Sequence, residues 1–67
     1  MNEDALNMSV RKFLKTIGVT AQREIEKAVR SAEENGSLPD SPLTAQASIT
    51  VAGVELEVIV NGKIETR

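Results

Sequence analysis

The sequence predicts an α+β fold in which two N-terminal helices pack on a small antiparallel β-sheet of two or three strands, in the order ααβββ. Apolar residues recur at spacings of three and four as far as Ala32, then alternate singly from Ala45 onward. Between these stretches lies a segment with both prolines and neither period. Residues 1–67 therefore read as one small domain, with helices at about 3–17 and 21–35, a linker at 36–44 and a β-meander at about 45–66.

The first helix rests on Leu6, Val10, Phe13, Leu14 and Ile17, which fall on one arc at 100° per residue. Asn2 is placed to cap the first turn, where Glu3 and Asp4 meet the positive end of the helix dipole. Gly18 follows the last apolar position as a left-handed C′ residue, with Val19 placed to touch Leu14. Thr20 is then an N-cap for a second helix, whose apolar side carries Ala21, Ile25, Ala28, Val29 and Ala32 until Asn35-Gly36 ends it. So short a connection predicts a tight helical hairpin with facing apolar stripes.

Residues 37–44, with Pro39 and Pro42, lack periodicity, and Leu38 and Leu43 are placed to tack them onto the core. A two-residue turn at Ala52-Gly53 then sets Val51 opposite Val54, Ile49 opposite Leu56, Ala47 opposite Val58 and Ala45 opposite Val60. All these apolar pairs share one face, which a one-residue slip would turn toward water. Asn61-Gly62 signals a second turn into Lys63–Thr66. A two-residue turn there pairs Ile59 with Ile64. A three-residue loop or bulge, favoured on burial, pairs Val60 with Ile64 and brings Arg67 near Glu57.

The chain contains no His, Cys, Tyr or Trp. Without histidine no side chain has an ordinary pKa near 7, and without cysteine there is neither a thiolate nucleophile nor a soft metal ligand. Structural zinc is excluded by the same absences. Catalysis would fall to a carboxylate or lysine shifted by deep burial, which a core this small hardly provides. The expectation is a non-enzymatic protein with no metal and no cofactor.

A domain near 60 residues buries only about 60% of its unfolded surface, and this one has no disulfide or metal staple and a single aromatic residue, Phe13. Association into a homodimer is therefore a physical expectation. No apolar run reaches the roughly 20 residues that span a bilayer. The acidic opening Met1-Asn2-Glu3-Asp4 is the wrong flank for a secretory signal, so the chain reads as cytoplasmic with no membrane partner.

Net charge is −2, but residues 11–30 hold Arg11, Lys12, Lys15, Arg23, Lys27 and Arg30 against only Glu24 and Glu26. Were the two helices side by side, these six cations would form one surface able to neutralise phosphates. The Gly-Val-Thr connection also raises the helix-turn-helix question. Glu24 and Lys27 occupy positions where such motifs place inward apolar residues, no third helix follows, and no surface aromatic is present to stack bases. A solvated helix face is the plainer reading, supported by the i,i+4 pair of Glu26 with Arg30. Glu55 and Glu57 share a strand face without further oxygen ligands and read as solubilising groups. Met8 and Ile59 sit among polar neighbours and, with Ile64, are candidate partner contacts as readily as incidental exposures.

The segments Met1-Asn2-Glu3-Asp4, Arg11-Lys12-Phe13-Leu14-Lys15, Gly18-Val19-Thr20 and Gln22-Arg23-Glu24-Ile25-Glu26-Lys27-Ala28-Val29-Arg30 resemble a family of small proteobacterial proteins of unknown function. The likeness runs along the whole chain and is specific through residue 30, whereas Pro39, Pro42 and Ile59 depart from the family's style. It implies a bacterial cytoplasmic single domain and transfers no activity, cofactor or catalytic residue. The functional expectation is accordingly a protein–protein interaction module, self-associating or bound to another protein, with nucleic-acid binding through the six cations as the alternative.

Overall fold

A computed structural model describes residues 1–67 as one long helix followed by a two-stranded antiparallel hairpin: α1 (Glu3–Glu34), β1 (Leu43–Thr50) and β2 (Glu57–Ile64). The order is αββ, not ααβββ, and the helical hairpin expected at 3–17 and 21–35 is a single 32-residue rod. The helix begins where its cap signals place it, with Asn2 Oδ1 accepting the Ala5 N–H at 3.0 Å and Glu3 and Asp4 in the first turn. It ends as a Schellman motif: the Ser37 N–H donates to Ala32 O at 2.9 Å, the Gly36 N–H to Glu33 O at 3.1 Å, and Gly36 takes φ +73°.

Gly18 does not stop the helix. It lacks positive φ and sits within the rod, where glycine costs only about 1 kcal/mol relative to alanine. Breaking the helix there would sacrifice several hydrogen bonds, repaid only if the two halves packed against each other. The alanine-rich second half, with Ala21, Ala28 and Ala32, offers little to bury against.

In the hairpin, Ile49 lies opposite Val58, Ala47 opposite Val60, Ala45 opposite Gly62 and Leu43 opposite Ile64. This register is displaced by two residues from the expected one. A shift of two preserves the side-chain alternation, so the apolar residues still share a face, and it recruits Leu43 and Ile64 as a further apolar pair. The connection is the longer loop 51–56, entered by a turn in which the Val54 N–H reaches Val51 O at 3.5 Å and Gly53 adopts φ +99°. That is the third position of the turn, where a type II geometry demands positive φ.

Asn61-Gly62 is not a turn, and there is no third strand: both residues lie inside β2. Asn61 Oδ1 accepts the Gln46 side-chain N–H at 3.1 Å on the polar face, while Gly62 meets Ala45 on the other. Arg67 pairs with Asp40 at 2.8 Å rather than approaching Glu57.

The expected roof of helices over the sheet is absent. No Cα of the helix lies within 8 Å of a Cα in either strand, and Val58 and Val60 remain 39% and 54% exposed. The hairpin approaches the helix through Ile64, which shares a shallow depression with Gly18, Ala21 and Ile25. Not one residue of the chain is buried. A folded chain of 7.2 kDa normally exposes about 4,100 Å², yet this one exposes 6042 Å². Its radius of gyration is 15.9 Å where a compact chain of this length has about 11 Å.

Candidate protein-interaction surface

A continuous helix changes what its apolar residues do. At 100° per residue, Leu6, Val10, Leu14, Ile17, Ala21, Ile25, Ala28 and Ala32 fall within about 100° of arc along the whole rod. Their spacings run 4, 4, 3, 4, 4, 3, 4, so Leu6, Ile17 and Ala28 are separated by 11 residues, as are Val10, Ala21 and Ala32. An 11-residue repeat averages about 3.67 residues per turn, close to the straight helix, which keeps the stripe in phase across Gly18. Phe13 borders the stripe on one side and Val29 on the other.

The N-terminal part of this stripe is bare: Leu6 is 45% exposed, Val10 45%, Phe13 49% and Leu14 50%. Toward the C-terminus, Ala21, Val29 and Ala32 are half-buried, with Ile64, Thr66 and Leu38 close by or half-buried themselves. These N-terminal side chains were assigned to the core on sequence grounds; the structure leaves them in solvent. The signal that could have identified one stripe was its unbroken phase across Gly18.

The six cations share the polar half of the rod, within about 160° of arc, but they are spread along it and interleaved with Asp4, Glu26, Glu33 and Glu34. Arg11 and Arg30 are about 28 Å apart along the axis. Arg11 and Lys15 lie toward one flank of the stripe, Lys12, Arg23 and Arg30 on the back, and Lys27 toward the other flank. Glu3, Asp4, Glu24, Glu26, Glu33 and Glu34 balance them, giving the helix no net charge. Arg30 approaches Glu26 at 3.6 Å, and Glu26 also accepts from the Gln22 side chain at 3.0 Å. The Gly18-Val19-Thr20 connection of a helix-turn-helix does not exist, because those residues are helical.

Met8 is 71% exposed on the back of the helix, and Ile59 is 54% exposed on the polar side of the hairpin. Ile64 projects from the opposite side of the hairpin and faces the helix, so the three do not share a surface. Glu55 lies in the loop and Glu57 opens β2, so the two carboxylates are not paired on a strand face. Nowhere do three acidic side chains gather in a manner that could hold a metal ion, and no ionisable group is buried. The depression beside Ile25, Val29 and Ile64 is rimmed by Glu26, Arg30, Glu33, Glu65 and Thr66. No helix is long and apolar enough to cross a membrane.

The chain belongs to a family of unknown function, DUF6494, whose pattern it matches over residues 1–67. No curated protein and no solved structure matches it.

Proposed function

We propose that this member of the family is a non-enzymatic, self-associating protein-interaction module of the bacterial cytoplasm, docking through the apolar stripe of α1. The observation that carries the reading is the absence of any buried residue in a chain that exposes Leu6, Val10, Phe13, Leu14 and Ile25 along one helix. A monomer of this shape lacks the burial that offsets conformational entropy, so association is what gives the chain a core. The cytoplasmic part of the reading rests on the cysteine-free composition, which suits a reducing compartment.

Nucleic-acid binding finds less support. The cations are spread along about 28 Å of a neutral helix and interleaved with Asp4, Glu26, Glu33 and Glu34 on the same half, so the field that would hold phosphates is weakened by carboxylates beside it.

Sedimentation over a hundredfold concentration range tests the reading. It predicts a species heavier than 7.2 kDa that dissociates and loses helical circular dichroism together on dilution. A helical 7.2 kDa monomer at every concentration would refute it.

A further inference from the structure

We infer that the partner on the apolar stripe is a second copy of this chain lying antiparallel, with residues whose numbers sum to about 38 facing each other across a two-fold axis near residue 19. The inference rests on the self-association just proposed and adds its geometry.

The stripe is nearly palindromic in position but not in size. Reversal about residue 19 sets Leu6 against the partner's Ala32, Val10 against the partner's Ala28, Phe13 against the partner's Ile25, Leu14 against the partner's Glu24, and Ile17 against the partner's Ala21. Leu6, Val10 and Ile17 of the N-terminal half thus each meet an alanine of the C-terminal half, while Leu14 packs along the methylenes of the partner's Glu24, whose carboxylate reaches the edge of the seam. Such alternation lets facing layers interdigitate at close interaxial distance. Parallel pairing instead sets large against large at one end and alanine against alanine at the other, leaving a seam that cannot close evenly.

Charge points the same way. Glu24 is the one carboxylate inside the C-terminal half of the stripe. Parallel chains bring two Glu24 side chains together at one level, whereas antiparallel chains separate those levels by about 15 Å. The uncharged helix as a whole gives an anionic lipid surface no net charge to hold.

Coverage agrees as well. Each bare N-terminal half lies beside the half of its partner that carries a hairpin, and the two hairpins sit at opposite ends. The excess surface is about 1,900 Å² per chain over a compact chain of this mass. Doubled, it falls within the roughly 2,000–5,000 Å² total that obligate homodimers bury.

A spin label tests the direction. The chain lacks cysteine, so Met8→Cys introduces a single thiol at a 71% exposed site on the back of the helix. Antiparallel chains place the two labels about 40 Å apart and parallel chains about 25 Å apart. A dipolar distance near 40 Å is expected. One near 25 Å in its place overturns the antiparallel arrangement while leaving self-association standing. No distance, together with sedimentation as a monomer, overturns both. Register is tested by mixing Leu6→Cys chains with Ala32→Cys chains under mild oxidation. The mixed disulfide should predominate, and a product limited to like-with-like disulfides, or none, would overturn the proposed facing pairs.

Discussion

The two halves of α1 are built by the same local rules and end in different surroundings. From Glu3 to Ile17 the apolar side chains are large and mostly half exposed, with no other element against them. From Ala21 to Glu34 they are mostly alanine, and the Ile64 end of the hairpin covers part of them. Helix formation needs only local hydrogen bonds and permissive side chains, so it proceeds equally in both halves. Stability needs area removed from water, and there the halves diverge. The bulky half has side chains to bury and nothing to bury them in, while the half with a neighbour has little to offer it.

The sharpest way to break this contrast is a charge on the bare half. Leu14→Asp should lower stability by at least about 2 kcal/mol and shift the assembly toward unfolded monomer, because a carboxylate would enter the seam. Met8→Asp, on the back of the same half, should stay within about 0.5 kcal/mol of the parent. Thermal melts of the two variants at equal concentration decide the matter. Equal melting temperatures would mean that the stripe faces solvent in the working state.

Ile64→Ala probes the other half by removing the hairpin's apolar contact with the helix. A loss of about 1–2 kcal/mol is expected, since Ile64 is only half-buried. Amide exchange should quicken in residues 43–64 more than in Glu3–Ile17. Uniform quickening along the chain would show the hairpin and the helix to be one cooperative unit.

Two glycines give the smallest and most diagnostic effects. Gly18 is helical with open space where a Cβ would lie, so Gly18→Ala should stabilise by up to about 1 kcal/mol. Gly36 has equally open space but φ +73°, so Gly36→Ala should destabilise by about 1 kcal/mol. A fall in melting temperature for both would restore a helical hairpin with a left-handed Gly18.

Legibility in the sequence follows the range of the interaction concerned. Asn2 as N-cap and Asn35-Gly36 as terminus were readable because each acts on residues within one turn. The apolar face of the hairpin was readable because alternation survives a two-residue slip, although the slip itself was not. Ala52-Gly53 resembles a two-residue turn, yet the longer loop permits Leu43 to pair with Ile64. Gly18-Val19-Thr20 misled for a related reason. It carries the residues of a helix end, but the unbroken phase from Ile17 to Ala21 and Ile25 is evidence of one helix, and phase across a glycine outweighs the glycine itself. Of the candidate surface, Met8 and Ile59 were found as exposed apolar groups, while Leu6, Val10, Phe13 and Leu14 were placed in a core that the single chain does not form.

The sequence by itself determined where the helix starts and stops, which strand residues share a face, and that histidine and thiol chemistry are absent. Only the tertiary structure decided that Gly18 is spanned, that Ile49 meets Val58, and that the bulky half of the helix lies open. The first set depends on hydrogen bonds and sterics within a few residues. The second depends on whether distant surfaces gain more by meeting than they lose in hydrogen bonds and chain entropy, a balance that no local segment contains.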